Sequence, residues 1–374
     1  AQDDRPLAEA DRAVGHAVRA VYYYSGAVDT AYNAPGIAGA LDSIWKNLIE
    51  RQMYITGGIG SSGSNEGFTD DYDLPNLNAY AETCAGIGLV FWAWRMHLAT
   101  GHATYIDTLE RSLYNAVLSG ISISTDRYFY DNPLESRGRN ERQPWFGCAC
   151  CPPNLARIIF CVQQYAISIS NNSIFVNLPL AGQYDLGGVK LSIESEFPWK
   201  SEFRVRATDG EIKSLKIRKP EWSYSVTING QEAKVLGEDG YIEVSLQEGQ
   251  ELVVGWRMSL DWKVSHPRVL ENAGRVALCR GPIVFCTESD PQSEPPQDWS
   301  ALTEQAVTLQ PTSDPRVGLE LSALGMIDEM PEPGAPFVNS HSKIQSRMSR
   351  TFIPYFAWAN NGLCNMQVWV RKAD

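Results

Sequence analysis

The sequence predicts a multidomain α and β protein: a helical domain over residues 1–170, then two β-sandwich domains over 171–267 and 268–374. Three observations predict it. Apolar residues recur at three- and four-residue steps through the first third of the chain. From Asn171 the period drops to two. Turn residues then punctuate short alternating runs, with Asn229-Gly230 between two of them as a hairpin signal.

Taken in order, a first helix is expected over Ala8–Tyr24, with Val14, Ala17, Val18 and Val21 on one face. A second covers Gly36–Arg51, with Leu41, Ile44, Trp45 and Leu48 as its stripe. The third, about Asn78–Thr100, is apolar nearly all round, so it should be buried, and Gly101 closes it. A fourth runs over Ala103–Ser119 and a fifth over Pro153–Ile167. Long helices joined in hairpins point to an α/α bundle or toroid, and five are too few to close a toroid. Strands follow at Ile174–Leu178, Val189–Ile193, Phe203–Arg206, Leu215–Arg218, Val226–Ile228 and Tyr241–Leu246. Further strands are expected at Val276–Leu278, Ile283–Phe285 and Met366–Val370. The Pro-, Ser-, Asp- and Glu-rich stretch Glu288–Pro336 reads as a long surface excursion.

Composition narrows the partners. The 374 residues carry 32 basic and 44 acidic groups, a net charge of −12, which argues against nucleic acid. No apolar run approaches the ~20 residues of a membrane span. The 11 Trp, 16 Tyr and 12 Phe suit stacking on sugar faces, although most must be core. Ala1-Gln-Asp-Asp-Arg has neither the basic nor the apolar segment of a signal peptide. Eight cysteines, three of them clustered, suit a reducing compartment, so a cytoplasmic location is expected.

The cluster is Phe146-Gly-Cys148-Ala-Cys150-Cys151-Pro-Pro-Asn154. Adjacent cysteines cannot bridge without a strained ring. Such density points to metal binding, redox chemistry or an activated nucleophile. Prolines at 152 and 153 open a helix, whose positive end favours thiolate. Glu82 and Cys84 offer two more ligand types, and with Cys150 and Cys151 would form a four-coordinate zinc site. Positions i and i+2 do not share a helix face, so that step must lie on irregular backbone. Gly58-Ile-Gly60-Ser-Ser-Gly63 matches a dinucleotide fingerprint, but a helix precedes it and no βαβ unit surrounds it. A flexible loop presenting Glu66 or Asp70-Asp71 is the better reading. His16, mid-helix among apolar neighbours, and Tyr130 would ordinarily be core residues.

Several segments together resemble glycoside hydrolase family 127, the β-L-arabinofuranosidase family of bacteria. They are Gly15-His16-Ala-Val-Arg19, Tyr54-Ile-Thr-Gly-Gly-Ile-Gly60, Glu66, Tyr72-Asp-Leu-Pro-Asn76 and Ala79-Tyr-Ala-Glu82-Thr-Cys84. Tyr130-Asp-Asn-Pro-Leu134, the cysteine block and Ile353-Pro-Tyr-Phe-Ala-Trp-Ala-Asn360 follow in family order. The resemblance implies a retaining glycosidase with Cys150 as nucleophile and Glu66 as general acid/base. It implies Zn2+ held by Glu82, Cys84, Cys150 and Cys151, and a sugar contacted by His16 and Tyr130. It also implies that the helical domain is a partial (α/α)6 barrel, entered about halfway, which a second copy or another chain would complete. The substrate expected is a terminal β-L-arabinofuranoside or related furanoside of plant glycans. The alternatives are a non-catalytic zinc-stabilised or carbohydrate-binding subunit and, lacking any thioredoxin-like pattern, a thiol-redox protein.

Overall fold

The computed structural model describes residues 2, 4–170, 172–235, 237–293, 295–312, 314–329 and 344–373. Its first part is built on five helices: α1 (Ala17–Ala31), α2 (Ile37–Arg51), α3 (Thr83–Thr100), α4 (Ala103–Arg111) and α5 (Cys151–Cys161). The all-round apolar helix α3 is the centre, with Ile87, Leu89, Val90, Trp92 and Met96 all fully buried. It packs against α1, α4 and α5. Trp92 stands between Tyr24 and Trp45, with ring centroids 4.9 and 4.8 Å away. Gly101, with φ at +77°, ends α3 as expected.

Two boundaries differ from the sequence reading for the same reason. α1 begins at Ala17 and not at Ala8, because Gly15 takes a positive φ and His16 is extended. His16 therefore caps a helix instead of lying within one. α3 begins at Thr83 and not near Asn78, because Tyr80 and Ala81 donate their N–H groups to the carbonyls of Ser61 and Gly60. After α4 the backbone widens into a π turn over Ser112–Val117. Asn115 in that turn donates to the Pro282 carbonyl (2.9 Å) and accepts from the Val284 N–H (2.8 Å). The irregular turn thus binds the helical part to the C-terminal sheet.

The middle unit is a sandwich. One sheet orders Tyr241–Leu246, Ile212–Arg218, Ser173–Val176 and Ile167–Ser170. The other orders Gly182–Asp185, Lys190–Ser195, Glu202–Asp209, Glu251–Met258, Ser223–Ile228 and Gln231–Ala233. Alternation does the sorting: Phe203, Val205 and Ala207 face the core while Arg204 and Arg206 face outward. Asn229 and Gly230 both take positive φ, forming the hairpin turn that their sequence demands. Arg218, fully buried, reaches out of this sandwich to α4, where Asp107 Oδ1 lies 2.6 Å from Nη1 and Glu110 pairs with Nη2. Trp222 Nε1 donates to the other Glu110 oxygen at 2.7 Å.

The C-terminal unit is not a second sandwich. Strands Arg275–Arg280, Ile283–Ser289, Ile344–Pro354, Leu319–Glu329, Trp299–Ala301 and Trp369–Lys372 pair in that order, and the last pairs with the first. This closes a six-stranded ring around Val276, Leu278, Phe285, Trp299, Leu321 and Phe352. Residues 299–329, read from composition as a surface excursion, supply two of its strands; residues 330–336 lie outside the described residues. Asn365–Gln367 extends the sheet and pairs with Glu135–Arg137 from the helical part. Among the described residues the five helices form an open stack, and no helical ring closes.

Candidate active site

Four segments converge where α1, α3 and α5 begin. The glycine-rich loop after α2 runs back toward α1, and Gly67 passes so close that a Cβ there would lie 1.9 Å from the Gly15 carbonyl oxygen. Only glycine fits. This approach lets the Glu66 carbonyl accept the Ala17 N–H at 3.0 Å, satisfying one orphan donor of α1. Glu66 itself takes a positive φ of 51°. Its side chain, 46% exposed, places Oε2 2.9 Å from His16 Nε2.

Glu82 occupies the residue before α3, with Cys84 in the first turn, which is the irregular backbone that the Glu-x-Cys step requires. Cys150 precedes α5, and Cys151 is its first residue. The ligand atoms of Glu82, Cys84, Cys150 and Cys151 all lie within 4.8 Å of one another. Cys150 Sγ is 3.2 Å from Glu82 Oε1 and 3.6 Å from Cys151 Sγ; Cys151 Sγ is 3.8 Å from the same oxygen. Glu82 is shared with a second group, His16 and Glu66, at the same spacing. Cys84, Cys151 and Glu82 are buried, while Cys150 is exposed. All eight cysteines are free thiols.

Tyr130 places its hydroxyl 2.9 Å from Cys150 Sγ. Its backbone is fixed by the helix start, since the Tyr130 carbonyl accepts the Thr83 N–H at 2.9 Å. Buried Asn132 ties the same loop down by donating to the Ala81 carbonyl (2.9 Å) and to Thr83 Oγ1 (3.0 Å). All seven candidate residues are therefore together. Asp71 is not: Arg51, Asn47 and Gln52 hold it at the end of α2. Asp70 is exposed, and its carbonyl accepts the Asp73 N–H at 3.2 Å.

The cluster could hold a cation. Burial pushes the Cys150 thiol up to about 12. Its hydrogen bond to Cys84, with burial, raises Cys151, whereas the Cys151 hydrogen bond lowers Cys84. Burial raises the Glu82 carboxyl. Several negative charges cannot share so small a volume uncompensated, and one Glu82 oxygen, Oε2, is buried without a partner. Three sulfurs and a carboxylate at helix starts fit a metal ion with a tetrahedral preference.

Two residues escaped the sequence reading. Asn154, three positions after Cys151 on α5, hydrogen-bonds Cys84 and accepts from the Tyr22 hydroxyl at 3.1 Å. The i, i+3 spacing from a ligand could have singled it out. Tyr80 lies beside Glu82 and Glu66; burial and those charges hold its phenol above the usual range. Its place depends on the Ser61 and Gly60 backbone contacts, which no local pattern reveals.

Known proteins resemble the chain along nearly its whole length. Residues 1–164 match the "Beta-L-arabinofuranosidase, GH127 catalytic domain", 173–259 the "GH127 middle domain" and 261–371 the "Glycoside hydrolase family 127 C-terminal domain". A non-reducing end beta-L-arabinofuranosidase of Bifidobacterium longum subsp. longum is 32% identical across 99% of this chain and 61% of its own length. A solved GH127 beta-arabinofuranosidase superposes with a TM-score of 0.92 at 34% identity, covering 100% of this chain and 62% of the other. A GH127 beta-L-arabinofuranosidase from Geobacillus stearothermophilus T6 gives 0.91 at 34%, covering 100% and 63%. The chain thus spans about three fifths of the length of these relatives. With each of its three units matching the corresponding family domain in order, the chain belongs to glycoside hydrolase family 127.

Proposed function

We propose that this chain carries the centre of a retaining glycosidase that releases terminal β-L-arabinofuranosyl, or closely related furanosyl, residues. The observation that supports it is one exposed thiol, Cys150, set among two buried thiols and a carboxylate, with Glu66 and His16 at the same centre. The relatives, themselves β-L-arabinofuranosidases, suggest the sugar. On the same reading the five helices are one arc of an (α/α)6 barrel.

In the first step the Cys150 sulfur attacks the anomeric carbon while the bond to the leaving oxygen breaks. Glu66 gives that oxygen its proton. In the second step water attacks the anomeric carbon, Glu66 takes up a proton, and the carbon–sulfur bond breaks to return Cys150 as thiolate. Two displacements at one carbon retain its configuration. The Tyr130 hydroxyl, 2.9 Å away, donates to the thiolate and aims it. His16 holds the Glu66 carboxylate in place. Glu82, Cys84, Cys150 and Cys151 would hold zinc, which supplies positive charge that keeps the sulfurs deprotonated at neutral pH.

Protein purified without added metal should carry about one zinc per chain by elemental analysis. The Cys84→Ala, Cys151→Ala double variant should lose it; zinc retained there, or absent from the parent, overturns the site. Glu66→Gln should lower kcat by about 10²–10⁴ while melting with the parent, because the side chain is half exposed and leaves no cavity. Near-parental rates on an aryl β-L-arabinofuranoside would remove Glu66 from the mechanism.

A further inference from the structure

The Tyr72-Asp-Leu-Pro-Asn76 segment takes no part in the cluster, although it runs close to the glycine-rich loop. Tyr72 and Leu74 line a cavity of about 470 Å³ where all three units meet. The size is that of a small-molecule site, and domain junctions are where such sites form. The end of α2 and α4 form one side, Glu221 and Trp222 of the sandwich a second, and Lys263 to Asn272 with the ring strands a third. None of its lining residues belongs to the catalytic cluster.

We propose that this cavity is a second carbohydrate-binding site, which holds part of a longer saccharide away from the reacting bond. The reading rests on the glycosidase function proposed above. Asp107 and Glu110 are held by Arg218, and the remaining carboxylates, Glu50 and Glu221, stand with Arg51, Arg111 and Lys263 around it. A wall so nearly neutral suits neither a polyanion nor a metal ion. It does suit hydroxyl groups, which donate to carboxylates and accept from guanidinium, ammonium and amide N–H. Tyr72 stacks on His266 at 4.5 Å and Trp369 lines the ring side, giving apolar surface for the C–H faces of a sugar. The hydroxyl of Tyr54, a lining residue only 2% exposed, has no hydrogen-bond partner. A buried hydroxyl left in that state is costly, and a ligand hydroxyl would satisfy it.

The test fills the cavity without touching the catalytic residues. Ser265→Trp puts an indole on its wall, and Tyr72→Ala removes the rim ring as a second, independent variant. In a Glu66→Gln background, calorimetry with a short arabino-oligosaccharide should find two sites per chain, and each variant should leave one. In the active protein both variants should raise KM for that oligosaccharide at least about fivefold, with kcat and the kinetics of an aryl arabinofuranoside unchanged. An unchanged number of sites in both variants overturns the proposal, whereas a single parental site that both variants lose counts against the catalytic reading instead. The calorimetric count is read whether or not any furanoside is hydrolysed, so it separates this failure from failure of the catalytic reading.

Discussion

Cys150→Ser should reduce turnover of an aryl β-L-arabinofuranoside by a factor on the order of 10³–10⁶, the scale on which enzymes lose rate when a nucleophile is removed. The serine oxygen keeps the shape of the site but is a far weaker nucleophile near neutral pH. The structure makes the competing sulfurs poor candidates for different reasons. Cys151 and Cys84 are buried and turned toward Glu82, so no anomeric carbon reaches them. Cys148 is exposed but stands outside the cluster, linked to it only by its carbonyl, which accepts the Cys150 N–H at 3.2 Å. A mechanism-based furanosyl electrophile should therefore label the Cys150 peptide alone. Label on Cys148, Glu82 or Glu66 would overturn the mechanism.

Arg218→Met should destabilise the protein by about 3–5 kcal/mol, the usual cost of leaving buried charges without their partner. Asp107 and Glu110 would lose the guanidinium that enters α4 from the sandwich, and both are buried against it. Arg218→Met combined with Asp107→Asn and Glu110→Gln should recover part of the loss, because no unpaired charge remains. Denaturant melts of the two variants check this. Equal stability of single and triple variants would show that the arginine acts by packing alone.

Much of the helical part was legible. α2, α4 and the heart of α3 follow from apolar spacing, since a helix needs only its own residues to show a face. The starts of α1 and α3 were not, because Gly15 and Ala81 adopt positive φ where the glycine-rich loop docks: the Gly15 carbonyl accepts the Phe68 N–H, and Ala81 donates to the Gly60 carbonyl. Alternation identified six strands of the sandwich, Glu202–Asp209 among them, but missed Glu251–Met258 and three shorter ones. It could not distinguish a sandwich from a closed ring, because period two reports facing and is silent about which edges pair. Trp299–Ala301 and Leu319–Glu329 were hidden by the polar composition around them. In the site, the density of sulfur made Cys150 and Cys151 conspicuous, and family order brought in Glu66, His16 and Tyr130. Tyr80 and Asn154 stayed invisible, because their roles exist only once separate segments touch.

The ring has a consequence for the order of events during synthesis. Its first strand, Arg275–Arg280, takes Trp369–Lys372 as one neighbour, so nearly a hundred later residues must emerge from the ribosome before it closes. Glu135–Arg137 waits longer still, for Asn365–Gln367. That strand begins five residues after Tyr130, whose hydroxyl lies 2.9 Å from Cys150 Sγ. Pairings of such long sequence separation form late and slowly. The helices can assemble early around α3, but the loop carrying Tyr130 acquires its final anchor only when residues 365–367 arrive, so the geometry around Cys150 is set near the end of folding.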